Sequence, residues 1–247
     1  MIYDCFLYNG ERELLDIRLH ELSKCKEPVT HILVEAAYTF SGKEKPLYFS
    51  QVKEEYAEWP IISVTVEKFP ETENPWDRER YQRNLIKPAL NMMNPGDDNI
   101  VIVGDVDEIV MAHIVDKFAD SNGSWFASLS MSVYSYYLNA KDAGLKWDRS
   151  RIMRWEYLKD KTPDDIRNSG YKISIHNAGF HFTWLHNRAH EKLESFSHTE
   201  LNTDHNHYLI DGLDNFWSDV EYKYVDIDES YPEYIRKNIE KLKHLIK

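Results

Sequence analysis

Short apolar runs alternate with amphipathic stretches through the first half of the chain. "MIYDCFLY" (1–8) reads as a strand that stops at the Asn9-Gly10 turn, and 11–23 follows with Leu14, Leu15, Leu19 and Leu22 at helical spacing. "THILVEAA" (30–37) and "PIISVTVEKF" (60–69) read as two more strands. Residues 77–93 read as a helix in which Pro88 marks a kink or boundary. A fourth strand, 99–103, leads into a helix over about 110–118. This alternation predicts an α/β fold, a mostly parallel central sheet flanked by helices. The second half differs: 125–139 and 171–185 read as aromatic-rich strand regions. A basic amphipathic helix, "EYIRKNIEKLKHLIK", follows Pro232. No repeat or linker divides the chain, so one domain over 1–247 is expected.

Composition narrows the partners. Hydrophobic residues make up 42% of the 247, ample for a packed core. Asp and Glu outnumber Lys and Arg by 42 to 30, a net charge of −12. That balance argues against a nucleic-acid partner, because polyanions need a cationic face, and leaves room for a local basic pocket holding a small anion. Cys5 and Cys25 are too few for a disulfide framework. The N-terminal residues do not read as a signal peptide, and no run approaches the roughly 20 apolar residues of a transmembrane segment. A cytoplasmic protein is the expectation. Peripheral membrane contact through the basic C-terminal helix is open, though packing against the body is its simpler role.

"GDVDEI" carries the chemistry. Asp105 and Asp107 stand two apart after an apolar strand, and in extended backbone such residues share a face. Ligands of open α/β sheets gather beyond the carboxyl ends of the strands. Paired hard oxygen donors there suit Mg²⁺ or Mn²⁺, with substrate phosphates completing the shell. The competing reading has Asp107 and Glu108 capping the next helix.

Five pieces in order, "YDCFLYNGERELLDIRL", "ILVEAAYTFSGKEKPLYF", "RERYQRN", "GDVDEI" and "AGFHFTWL", resemble glycosyltransferase family 17. Its best-known members are the β-1,4-mannosyl-glycoprotein β-1,4-N-acetylglucosaminyltransferases. Val110 replaces the family's proline after D-x-D-E-I, and Phe180 its tryptophan in Gly-Trp-His. The animal members' membrane anchor is not seen here, so their N-glycan acceptor is not carried over.

The resemblance implies a GT-A-like nucleotide-sugar-binding fold, with a nucleotide-binding half at about 1–120 and an acceptor-binding half at about 121–247. It implies inverting, Mn²⁺- or Mg²⁺-dependent transfer of a sugar, typically GlcNAc, from a UDP-sugar donor to a glycan or glycoconjugate hydroxyl. Asp107 would be the main metal ligand, Asp105 would touch the ribose or a metal-bound water, and Glu108 would support them. His181, then His198, would supply a further ligand. Arg80 and Arg83 are candidates for the diphosphate or sugar, and Tyr8, Asn9, Glu35 and Trp184 for the rest of the donor. The base that deprotonates the acceptor could be Glu191, Glu194, Glu200, Asp211 or Asp214. Aromatics over 134–147 could stack on sugars or fill the core, and "DHNH" (204–207) reads as a polar loop. Two alternatives stand beside transfer: a metal-dependent phosphoesterase, and a non-catalytic glycan-binding protein.

Overall fold

A computed structural model describes residues 1–121, 126–171, 173–213 and 222–247. The strands are β1 Ile2–Leu7, β2 Val29–Ala36, β3 Ile61–Val66, β4 Ile100–Asp105, β5 Glu108–Val110 and β6 Phe126–Leu129. They continue with β7 Met131–Ser135, β8 Ala140–Trp147, β9 Arg151–Arg154, β10 Ser174–Ile175, β11 Gly179–Thr183 and β12 Tyr222–Tyr224. A seven-stranded sheet runs β10-β6-β9-β4-β1-β2-β3, parallel except for β9. A five-stranded mixed sheet runs β12-β8-β7-β11-β5. The expected α/β class with a mostly parallel central sheet is what the chain adopts.

Every residue of β1 is buried. Tyr3, Cys5 and Leu7 pack with Val34, Val103 and Leu90 on one face, while Phe6 packs with Leu14, Leu15 and Leu33 on the other. Strands covered on both faces are nearly all apolar, which is why β1, β2 and β4 were readable; β3, a half-exposed edge strand, was readable from its β-branched residues. The order also sets the site. From β1 the chain moves outward to β2 and β3, then returns to the opposite side of β1 as β4, in register Leu7↔Asp105. That reversal opens a crevice at the carboxyl ends of β1 and β4.

The helices begin with α1 Arg12–Leu22, α2 Tyr48–Val52, α3 Pro75–Asn84, α4 Ile86–Met93 and α5 Ala112–Ala119. The single helix expected over 77–93 is two, meeting at Leu85. Pro88 sits in the first turn of α4, where its missing N–H leaves no bond unmade. The helix expected from 110 starts at Ala112, because β5 comes first and pairs with β11. Asp107 and Glu108 therefore cap nothing: the N-cap is Met111.

The region 125–139 breaks at Ser130 into β6 and β7, which join different sheets; Trp125 lies outside the described residues. The region 171–185 splits in the same way into β10 and β11, and Lys172 also lies outside them. Three more helices bear on the site: α6 Trp155–Leu158, α7 Pro163–Asn168 and α8 Ala189–Ser195. The expected C-terminal helix is two short pieces, Glu233–Lys237 and Ile239–Leu242, broken at Asn238. Its Ile235, Leu242 and Leu245 are fully buried in the core beside Leu15, so packing is what its apolar face does. Among the described residues no helix is long and apolar enough to cross a membrane.

Candidate active site

Beneath the crevice lies a buried ion network. Arg18 projects from α1 on the stripe of Leu14, Leu15 and Leu22, and is fully buried. Its guanidinium donates to both carboxylate oxygens of Asp4, at 2.5 and 2.8 Å, and His31 Nδ1 lies 2.9 Å from Asp4 Oδ2. Burial pushes the Asp4 carboxyl up, but Arg18 and His31 overcome it and hold the pKa at about 2. The same guanidinium donates to the backbone carbonyls of Asp105 at 2.9 Å and Glu108 at 2.7 Å. Arg18 thus ties both ends of the D-x-D-E turn to β1.

Glu108 is wholly enclosed. It accepts from Arg167 at 2.7 and 3.0 Å, Trp147 Nε1 at 2.5 Å, the Asp105 N–H at 3.0 Å, and the Ser150 hydroxyl. Burial raises its pKa, and Arg167 more than reverses this, leaving the group ionised and well below the usual range. Gly104 makes room for it: a Cβ there would fall 2.6 Å from Glu108 Oε2. Asp105 accepts from Arg83 at 2.8 Å and Arg167 at 2.5 Å. These arginines turn Asp105 and Glu108 into a fixed floor.

Asp107 points the other way, into the cavity. Lys192 of α8 donates to its Oδ2 at 2.8 Å, and His181 Nε2 of β11 lies 3.4 Å from the same oxygen. Burial raises the Asp107 pKa, yet the Lys192 ammonium and the His181 ring drive it well below the usual carboxylate range. His181 is stacked under Trp147, with ring centroids 4.4 Å apart. β11 can approach β5 this closely because residue 179 is glycine; a Cβ there would strike the Ile109 carbonyl. Donor atoms of Asp107, Glu108 and His181 all lie within 4.8 Å of one another, a group that could hold a metal ion.

The cavity encloses about 270 Å³ and is walled by Tyr8, Phe40, Trp76, Trp147 and Trp184 among others. Seven buried side-chain polar atoms have no hydrogen-bond partner among the described residues. Four of them, on Lys45, Arg83, Asp142 and His181, belong to residues lining this one cavity. Lys45 Nζ and Arg83 Nε still have carboxylates at 3.7 and 3.6 Å, on Glu35 and Asp164, whereas the Asp142 and His181 atoms have neither kind of partner among the described residues. Buried polar atoms left so are costly, and a polar ligand would satisfy them.

Of the residues expected from the sequence, Tyr8, Asn9, Arg83, Asp105, Asp107, His181, Trp184 and His198 line the cavity. His198 stands apart from the Asp107 group, with its Nδ1 2.7 Å from Glu200. Arg80 lies outside the lining and pairs with Asp77 and Asp164. Glu35 is buried behind it and accepts the N–H groups of Tyr48 and Phe49, fixing the start of α2. That contact anchors the end of "FSGKEKPLYF", whose Phe40 and Lys45 reach the cavity wall. Glu191, Glu194, Glu200 and Asp211 pair with Arg188, Lys43, His198 and His190, and none of these four carboxylates is on the cavity wall; Asp214 lies outside the described residues.

Sequence reasoning missed Arg18, Arg167, Lys192 and Asp142. Only Arg18 left a trace, as a charge on an apolar helical stripe opposite Asp4 in an apolar strand. The others come from distant segments that no local pattern connects.

No curated protein matches the chain. The solved structures similar to it over part or most of its length include the following three. The mannosyltransferase PcManGT from Pyrobaculum calidifontis, in complex with GDP-Man and Mn²⁺, is 10% identical with a TM-score of 0.40, over 64% of this chain and 46% of its own. S. aureus TarS 1–349 in complex with UDP is 16% identical at 0.40, over 65% and 48%. The glycosyltransferase GlyE of Streptococcus pneumoniae TIGR4 is 12% identical at 0.34, over 98% and 50%. The chain thus spans about half the length of each. The sequence model of Glycosyltransferase family 17 matches residues 1–211, most of the 247, and the chain belongs to that family.

Proposed function

We propose that this family-17 glycosyltransferase is a metal-dependent, inverting enzyme that moves a sugar, GlcNAc by family resemblance, from a UDP-sugar to a glycan hydroxyl. The observation that carries the reading is the pairing of Asp107 and His181 at the sheet's switch point, inside a cavity walled by aromatics. Their donor atoms are 3.4 Å apart, close to the separation of about 3 Å expected of neighbouring ligands on one octahedral ion. The carboxylate suits Mn²⁺, and a neutral imidazole is a common ligand of divalent metals. Glu108 already accepts five hydrogen bonds, so Asp107 and His181 are the residues with capacity left to hold the ion. When bound, Mn²⁺ would act as a Lewis acid toward the departing diphosphate.

The chain's own groups do the rest. Arg18 and Arg167 hold the turn so that Asp107 needs no rearrangement, a preorganisation that favours the transition state. The Lys192 ammonium, within reach of Asp107 and Thr183, offers a second positive charge to the diphosphate. Aromatic rings present flat faces to base and sugar and exclude water. A phosphoesterase would need more carboxylates or histidines around the ion; among the described residues the group is limited to Asp107, Glu108 and His181.

The test is thermal stability with UDP-GlcNAc, UDP-Glc, UDP-Gal or GDP-Man, each with Mn²⁺ or chelator. A ligand that binds only the native state raises the melting temperature. One UDP-sugar should do so with Mn²⁺ and lose the effect in chelator. No shift with any of the four would overturn the proposal.

A further inference from the structure

We infer that Asp142 is the general base of the reaction, a role that rests on the transferase reading above. Asp142 sits on β8 in the five-stranded sheet, lines the cavity and is only 3% exposed. Its Oδ1 accepts the backbone N–H groups of Gly144 at 3.1 Å and Leu145 at 3.0 Å, which locks the side chain in one orientation. Its Oδ2 is buried and has no hydrogen-bond partner among the described residues. A carboxylate oxygen kept dry and unpaired is costly to maintain and is relieved by a donor arriving from the cavity.

The other carboxylates of the cavity are engaged. Asp105 is held by two arginines and Asp107 by Lys192; Glu79 accepts from Arg83 and Ser197. Glu11 accepts the Asn9 N–H at 2.8 Å and lies at the end of β1, on the nucleotide side. Asp142 lies on the other side. β8 pairs with β7 and β7 with β11, and Val133 of β7 registers with His181. Two ordinary interstrand steps separate β8 from β11, about 10 Å, which is room for a sugar ring between the metal group and the base. Inversion needs that layout, with the acceptor entering opposite the leaving group.

The step balances without a further reactant. The acceptor hydroxyl oxygen bonds to the anomeric carbon while its proton passes to Asp142 Oδ2. The bond from that carbon to the β-phosphate oxygen breaks, and its electron pair leaves with UDP. The proton on Asp142 is then lost to water.

Asp142→Asn keeps Oδ1 for both N–H groups, so the turn survives. UDP release from UDP-GlcNAc with Mn²⁺ is measured with p-nitrophenyl glycosides as acceptors, beside the thermal shift given by the same donor. D142N should keep the shift and release UDP about 10²- to 10⁴-fold more slowly than wild type. Release within about threefold of wild type overturns the assignment. So does loss of the donor shift in D142N, which would make Asp142 a donor contact, and so does the same loss of release in Glu11→Gln in its place. A wild-type protein with no shift for any nucleotide sugar sinks the transferase reading and the base with it, a result distinct from the others.

Discussion

The floor and the far wall of the cavity follow opposite rules. The floor, where β1 and β4 end, is built from charges set against counter-charges: Arg18 with Asp4, Arg167 with Glu108, Arg83 with Asp105. The wall formed by the five-stranded sheet carries His181 and Asp142, each with a buried atom lacking a partner. Paired charges fix backbone geometry and are costly to break, whereas unpaired atoms wait for a ligand. The difference separates residues that shape the site from those that would act on substrate, although both kinds are buried and polar.

The largest break in that contrast should come from Asp107, which rises from the floor but faces the cavity. Asp107→Ala should abolish the Mn²⁺-dependent shift with UDP-GlcNAc and slow UDP release about a thousandfold, since a bound ion supplies several kcal/mol of transition-state stabilisation. Its fold without ligand should survive at a lowered melting temperature, because the pairing with Lys192 goes with the carboxylate. Retained metal dependence would move Asp107 out of the ligand set.

Arg18→Met is the converse. It leaves the buried Asp4 with His31 beside it but strips its main counter-charge, a loss that costs about 3–5 kcal/mol, read as a lower denaturant midpoint at unchanged slope. If Arg18→Met loses activity without losing stability, the floor is more than a scaffold.

How much of this was legible follows from the same division. β1, β2, β4 and "GDVDEI" were readable because strands buried on both faces are continuous apolar runs and the acidic pair stands right after one, while the edge strand β3 showed through its β-branched residues. The break at Ser130 was not, because an apolar run that changes sheets looks like one that does not. Arg167 and Lys192 reach the acidic turn across 62 and 85 residues, a distance that no spacing rule spans. Asp142 looked like an ordinary polar residue in an aromatic stretch, and only its unpartnered oxygen sets it apart.

Acid should dissolve the floor with a defined sign. Asp4 has a folded-state pKa of about 2, below the roughly 3.9 of an unfolded aspartate. A depressed carboxyl contributes stability that is present above the unfolded value and lost as pH falls through the folded one. Stability should therefore drop by roughly 2–3 kcal/mol between about pH 5 and pH 1 on account of Asp4. Unfolding by urea across that range, with Asp4→Asn as the reference, measures it. The drop should be smaller in Asp4→Asn, which has already lost the contribution at neutral pH.

The smallest effect tests Lys192, a cation that joins wall to floor. Lys192 donates to Asp107 Oδ2 and Thr183 Oγ1, and burial, which lowers its pKa, is outweighed by Asp107, so it stays charged. A divalent ion on Asp107 would meet that ammonium as a like charge, yet the incoming diphosphate would welcome it. Lys192→Met should therefore move two affinities in opposite directions. Mn²⁺ titrated alone should bind a few-fold more tightly, consistent with about 1 kcal/mol of repulsion removed, while UDP titrated at saturating Mn²⁺ binds more weakly by a similar factor. Calorimetry with each ligand separates the two. Weaker binding of both would make Lys192 a structural partner of Asp107, to be counted with Arg18 and Arg167 in the floor, and the cavity's positive charge toward substrate would then fall to Arg83 and Lys45.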